Sequence, residues 1–326
     1  MSERLRVVFL GSPPFGTPVL SALVEAEHDL IAVVTRPDRP RGRGRSVERG
    51  EVALLADEHA VPLLQPESTR GGEFAAALRA LQPDVLVVAS YGELLDEEVL
   101  ATPAIAPLNV HASLLPRHRG SSPIQAAILA GDETTGVSVQ RMVLTLDAGD
   151  VLLEREVAIE AEETAGALHD RLARLAGEAA VAAVDELASG EPVFTPQDES
   201  RVTMTRRMKK EDGRPCLGEM DSLQFVRHVR AMTPWPGARA ELCREGEPAL
   251  TLTLQAAKVA DGARWEDAKT GALRVNGERL FLALARGAAE LLQVQPAGKR
   301  PMDIADFLRG ARIKGAARLE GESCLE

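Results

Sequence analysis

The chain of 326 residues is 45% hydrophobic and 27% charged, with a formal net charge of −11, which excludes a disordered polyelectrolyte and gives length for two domains, each with its own core. No stretch approaches the roughly 20 apolar residues of a membrane-spanning helix, and Cys216, Cys243 and Cys324 show neither CxxC nor Cys/His ligand spacing. A disulfide framework and a zinc site are thereby set aside, and a reducing cytoplasm is expected.

The start "MSERLRVVFLG" runs from charged residues straight into a short apolar segment, so no signal peptide is expected. Apolar runs at 5–11, 30–35, 61–65, 83–90 and 106–111 then alternate with stretches of helical periodicity at 15–27, 49–60 and 71–81. Unbroken apolar runs suit strands covered on both faces. Strand, helix, strand in series predicts a mostly parallel sheet with flanking helices, a Rossmann-like α/β layout. Gly11 and Gly16 stand at the first strand-to-helix turn, but the third glycine of a dinucleotide fingerprint and the Lys-Ser/Thr of a P-loop are missing. A tight structural turn is preferred there over nucleotide binding.

After the second strand, "TRPDRPRGRGRSVERG" packs Arg36, Arg39, Arg41, Arg43 and Arg45 into ten residues. Its glycines and prolines bar a regular helix, so an exposed, mobile loop is expected. Such a charge run can be merely solvated surface. Its place at the C-terminal edge of a parallel sheet, where these folds seat ligands, favours contact with phosphates or bases.

The segment "LNVHASLLPRHRG" at 108–120 sets Asn109 and His111 at alternate positions of a strand end, so both project from one face. A capped strand with a satisfied histidine is the alternative. Against it stand the turn-rich segment that follows, where Leu114 and Leu115 suit a pocket wall, and Asp147 in "DAG", read as a tight turn between two adjacent strands at 135–143 and 149–159. An amide donor, an imidazole and an orienting carboxylate suit acyl transfer without a nucleophilic Ser or Cys.

A long Ala-rich helix at 164–189 closes a first domain, set at 1–189, and "SGEPVFTPQDES" opens a linker, 190–208. An amphipathic helix at 220–232 and short strand-like segments about ten residues apart then predict a small OB-like β-barrel over 209–315, with 316–326 as a mobile tail. Charge divides along the same line: residues 1–200 carry 16 Lys and Arg against 32 Asp and Glu, whereas 201–318 carry 22 against 14. A basic module joined to an acidic one favours contact with nucleic acid.

"LNVHASLLPRHRGSSPIQAAILAGDETTGVSVQRMVLTLDAGDVL", together with "TRPDRPRGRGR", "RAMTPWPGARAEL" and "LQVQPAGKRPMDIADFLRGAR", resembles the folate-dependent formyltransferase family, in particular its members that act on charged tRNA. The likeness runs from residue 5 to about 312 and departs from the family pattern at the first turn, "GSPPFG", and at "PCLGEM" after the linker. It implies 10-formyltetrahydrofolate as formyl donor and the amino group of methionyl initiator tRNA as acceptor, with no metal. Asn109 and His111 would then donate to the oxygen of the tetrahedral intermediate, and Asp147 would hold the imidazole and assist proton removal from the amine. Ser113, Leu114, Leu115 and Pro116 match the family's folate-contacting segment, the five arginines its tRNA-facing loop, and Phe15 is a weaker match to the pocket for the aminoacyl end. A cytoplasmic monomer without membrane contact is expected. A non-catalytic RNA-binding protein would explain the basic module but not the Asn-His-Asp set. A formyltransferase for glycinamide ribonucleotide or an amino-sugar nucleotide would lack the arginine loop combined with "QPAGKRPM", and a nicotinamide-dependent oxidoreductase would need the absent glycine fingerprint.

Overall fold

The structure is a computed structural model that describes residues 3–41, 46–70, 72–260, 268–311, 313 and 317–321. In chain order the first elements are β1 (Arg6–Gly11), α1 (Gly16–Glu25), β2 (Asp29–Val34), β3 (Arg39–Arg41), β4 (Ser46–Glu48), α2 (Glu51–Glu58), β5 (Leu63–Leu64), α3 (Gly72–Leu81), β6 (Val85–Ala89), α4 (Glu97–Leu100), β7 (Ala106–His111), β8 (Arg119–Gly120), α5 (Pro123–Ala130), β9 (Thr134–Arg141), β10 (Val151–Ala158), α6 (Ala165–Ala188) and β11 (Met204–Thr205). Two compact units result, Met1–Pro123 with Thr134–Ala158 and His169–Thr205 in the first, and Ile124–Glu133 with Ile159–Leu168 and Arg206–Glu326 in the second.

The first unit is built on a seven-stranded sheet in the order β10-β9-β7-β6-β1-β2-β5. Strands β7, β6, β1, β2 and β5 run parallel, while β9 joins β7 antiparallel and β10 joins β9 antiparallel. Both faces of the central strands are covered. Val8, Leu10, Leu86 and Val88 pack with Phe74, Leu78 and Val99 from α3 and α4, and the intervening Val7, Phe9, Val85 and Val87 are equally buried. This double cover is why these strands read as continuous apolar runs. On α6, Ala173, Ala176, Ala180 and Ala183 are buried, and a Cβ on Gly177 would stand 2.9 Å from the Pro18 carbonyl oxygen. Small side chains here let α6 approach α1 closely.

Three local expectations change. The run at 61–65 forms only the two-residue, half-buried edge strand β5, because it has a neighbour on one side only. The strand expected over 135–143 stops at Arg141, and a nine-residue connection, 142–150, replaces the tight turn; Val143, Leu144 and Leu146 look like strand residues but are exposed. The arginine-rich segment, expected to be an irregular loop, has paired ends: β3 and β4 form an antiparallel ribbon through Arg39↔Glu48, Pro40↔Val47 and Arg41↔Ser46.

The second unit contains α7 (Ser222–Ala231), β12 (Ala238–Cys243), β13 (Leu250–Val259), β14 (Leu273–Asn276), β15 (Arg279–Ala283), β16 (Ala288–Pro296), β17 (Met302–Asp303), α8 (Ile304–Ala311) and β18 (Arg318–Glu320). Helix α7 starts at a capping box, in which Asp221 and Gln224 satisfy each other's backbone N–H. The antiparallel sheet runs β14-β15-β16-β13-β12-β18. Leu319 N then donates to Gly271 O at 2.8 Å, and Leu273 N to Ala317 O at 3.0 Å. These bonds carry β18 back to the start of β14 and nearly close a barrel, while register shifts in β13 supply the bend. Alternate residues Ala238, Ala240 and Leu242, Leu252 and Leu254, and Leu280 and Leu282 fill it. The expected mobile tail is therefore corrected over Arg318–Glu320, where Leu319 is a buried wall residue; residues 322–326 lie outside the described residues. Among the described residues, no helix is long and apolar enough to cross a membrane.

Candidate active site

Strand β7 ends at His111, at the C-terminal edge of the parallel strands. Its antiparallel neighbour β9 sets Asn109 opposite Gln140 and His111 opposite Ser138. Directly opposed residues of such a pair share a face, so two strands present four polar side chains side by side. His111, Ser138 and Gln140 are buried, and each therefore needs partners.

Asp147 supplies the centre. Its backbone sits in the left-handed region at φ 50°, a conformation Asp tolerates better than most residues, and from there the carboxylate reaches the strand ends. Oδ1 accepts from Asn109 Nδ2 at 3.2 Å and from Gln140 Nε2 at 3.2 Å, and Oδ2 accepts from Gly120 N at 2.8 Å. His111 Nδ1 lies 3.7 Å from Oδ2, with both side chains at least nine-tenths buried. The other ring nitrogen, Nε2, is 3.0 Å from the His118 carbonyl oxygen. A carbonyl can only accept, so Nε2 carries a hydrogen and Nδ1 is the nitrogen available for proton exchange. Because one imidazole hydrogen is thus committed, His111 becomes a donor from Nδ1 only in its doubly protonated form. Asn109 uses one amide hydrogen on Asp147 and keeps a second.

The segment proposed for folate is held stiffly. Ser113 is fully buried and its hydroxyl donates to Arg117 O at 2.6 Å, so this side chain braces the turn. Ser138 Oγ accepts from Leu115 N at 3.0 Å and lies 2.8 Å from Ser113 O. Leu114 packs over Gly136, where a Cβ would stand 2.6 Å from its Cδ2. Leu115 and Pro116 are buried. Phe15 is also buried, edge-on to His169 with ring centroids 5.6 Å apart.

The five arginines divide. Arg36 donates from Nε to Tyr91 O at 3.0 Å, and its guanidinium lies over Gly92, so it anchors one end of the ribbon. Asp38 clamps both ends by accepting from Gly50 N at 3.1 Å, Gln65 Nε2 at 3.2 Å and Arg49 at 3.4 Å. Arg39 and Arg41 stand on β3; Arg43 and Arg45 lie outside the described residues.

The sequence reading missed Gly120, Arg119, Gln140 and Gln197. Gln197 lies in the segment read as linker, yet its Nε2 reaches Gln140 Oε1 at 3.1 Å, Asp147 O at 2.9 Å and Gly149 O at 2.6 Å. Buried Arg119 donates to Gln197 Oε1 at 3.0 Å and pairs with Glu199 at 2.7 Å. Thr195 is bonded to Val151 in both directions, and β11 pairs with β8. One signal was available for Gln140: Ser138 and Gln140 alternate with Val137 and Val139 along β9, a polar face on an otherwise apolar strand.

The chain matches the formyl transferase family over residues 5–184 and the formyl transferase C-terminal domain over 207–312. It is 42% identical to a methionyl-tRNA formyltransferase of Methylococcus capsulatus across 95% of this chain and 98% of that one. With the protein of the same name from Parvibaculum lavamentivorans it shares 40% identity over the same shares. Among solved structures, an N-formyltransferase from Helicobacter canadensis, in complex with folinic acid and dTDP-3-aminofucose, has a TM-score of 0.66 at 12% identity, covering 89% of this chain and all of that one. HypX from Aquifex aeolicus in complex with tetrahydrofolic acid has a TM-score of 0.60 at 20% identity over 96% of this chain, which spans 48% of HypX. At those identities the solved structures speak for the fold, a Rossmann-like sheet domain followed by a small β-barrel. The full-length relatives and the two matched domains place the sequence itself: the chain belongs to the formyl transferase family.

Proposed function

We propose that the protein transfers the formyl group of 10-formyltetrahydrofolate to the free amino group of methionyl initiator tRNA, acting as a cytoplasmic monomer. The observation that carries this reading is the convergence of Asn109, His111 and the Gly120 N–H on one buried carboxylate, Asp147. Two full-length relatives near 40% identity bear the corresponding name.

The folate supplies the activated formyl carbon; the chain supplies positioning and proton handling. The spare amide hydrogen of Asn109 is aimed where negative charge develops as the amine adds to that carbon. Such a donor is worth roughly 3–4 kcal/mol in the transition state. His111 Nδ1 and Asp147 Oδ2 form the pair that takes up the proton the amine loses and returns it to the folate nitrogen as the formyl C–N bond breaks and tetrahydrofolate leaves, and the His118 carbonyl fixes which ring nitrogen does so. The apolar, stiffened turn at Leu114 and Leu115, with exposed Leu144 and Leu146 on the loop bearing Asp147, fits a flat, partly apolar folate ring.

We assign the chemistry to residues 1–189 together with Gln197 of the connecting segment 190–208, and tRNA binding to the OB-like barrel of 209–315 with Arg318–Glu320 as its last strand. Arg39, Arg41, Arg43 and Arg45 take the acceptor end of the tRNA, with Arg36 held at the Tyr91 carbonyl before β3. The test is to incubate the full chain with 10-formyltetrahydrofolate and charged initiator tRNA and to assay formylmethionine. Transfer to a free amino acid or sugar nucleotide in preference to the charged tRNA would reject the proposed acceptor.

A further inference from the structure

The side chains around Asp147 form a line whose direction is set at every step. Arg119 can only donate, so Gln197 must present Oε1 to it and turn Nε2 the other way. That Nε2 faces Gln140 Oε1, which leaves Gln140 Nε2 to face Asp147 Oδ1. Glu199 neutralises the buried guanidinium at the far end. A carboxylate can only accept, so the series closes on Asp147 Oδ1, while the two hydrogens of Gln197 Nε2 are shared among Gln140 Oε1 and the carbonyls of Asp147 and Gly149. The line starts in the segment 195–205, far from β7 in sequence, and ends on the oxygen that Asn109 also uses.

We propose that Gln140 and Gln197 are positioning residues for the reaction, a relay that fixes the orientation of Asp147. Together with Asn109, the relay saturates Oδ1 with two N–H donors, so the lone pair of Oδ2 that the Gly120 N–H does not use is left to His111. Gln140 is the strand partner of Asn109, so the same register that places the proposed oxyanion donor also places its brace. This inference rests on the formyl-transfer reading for its kinetic test, but not for its spectroscopic one.

The experiment compares Gln140→Met with Gln140→Glu in the full chain. Met fills a similar volume and donates nothing. Glu keeps the shape and still accepts from Gln197, but when ionised it opposes Asp147; two carboxylates this close share one proton, and the protonated Glu can replace the lost N–H. With melting temperature and folate binding as controls, Gln140→Met should lower kcat by about 10- to 100-fold, as expected for a hydrogen bond to a charged group, with little change in KM and the same deficit at every pH. The Gln140→Glu deficit should instead be small at acid pH and grow as pH rises. A merely space-filling Gln140 would give no such divergence.

The substrate-free readout is the NMR titration of the His111 ring, assigned with His111→Asn. Gln140→Glu should add an inflection absent from the wild type and from Gln140→Met. Unchanged kcat in Gln140→Met, or a Gln140→Glu deficit that is flat with pH and lacks the added inflection, would overturn the relay. If Gln140→Met does not fold, Gln140→Glu assayed across pH decides alone. Wild-type protein that formylates no charged tRNA would sink the functional reading while the titration still judged the relay.

Discussion

Gly120 donates its backbone N–H to Asp147 Oδ2 at 2.8 Å while its α-carbon faces the Thr205 carbonyl, where a Cβ would stand 2.2 Å away. With φ at 113°, the residue is also in a region that L side chains avoid. Gly120→Ala should therefore separate β8 from β11 and withdraw a donor from the carboxylate. A loss of about 2 kcal/mol in stability and at least a tenfold loss in kcat are expected, measured by denaturant unfolding and initial rates. An alanine variant with unaltered stability would show that the strand pair yields without cost.

Asn109→Ala and His111→Ala remove groups whose contacts matter mainly in the transition state. Each should lower kcat by roughly 100- to 1000-fold while tRNA affinity stays near wild type, with a fall in melting temperature for His111→Ala because the buried His118 carbonyl loses its donor. Near-normal turnover in either variant removes that residue from the mechanism.

The arginine ribbon separates anchoring from contact. Arg43→Ala should raise KM for initiator tRNA, erode the preference for initiator over elongator tRNA and spare folate binding. Lysine there should restore little, because an ammonium lacks the planar fork. Arg36 is tied to the Tyr91 carbonyl, so Arg36→Ala should weaken tRNA binding together with protection of the ribbon's base in hydrogen exchange. Unchanged discrimination in Arg43→Ala would reduce the segment to solvated charge.

Glu290, buried in the barrel wall, accepts two hydrogen bonds from Arg279, which hold its carboxyl below the usual carboxylate range; Lys258 at 3.5 Å adds to this and burial opposes it. A depressed folded-state value means that the stabilisation is complete above the unfolded value, about 4.3, and is lost as pH falls through the folded one. The melting temperature should drop on acidification below about pH 4.3, and Glu290→Gln should flatten part of that slope. Parallel curves for the two proteins would rule out this carboxylate as a source of acid sensitivity.

The parallel strands, the long helix α6 and the pair Asn109/His111 were legible because each follows from a local period: unbroken apolar runs, helical spacing, and two polar residues at i and i+2. The connection 142–150 was not, since Val143, Leu144 and Leu146 carry a strand-like composition that only their exposure contradicts. Gln197 was hidden for a different reason. Its partners lie 48 to 78 residues away, and a Gly/Pro/acidic stretch gives no local hint of them. The same holds for β18, whose pairing with β12 spans most of the barrel sequence.

The most direct test of the account is formyl transfer by the full chain beside its Asp147→Asn variant, with 10-formyltetrahydrofolate and charged initiator tRNA. Asparagine tolerates the left-handed backbone that Asp147 adopts, so the fold and folate binding should persist while the charge that serves His111 is lost. The wild type should form formylmethionyl-tRNA rapidly, and the variant at a rate lower by at least about 100-fold. Folded wild-type protein that makes no formylmethionine, or a variant that makes it at the wild-type rate, would contradict the proposed function.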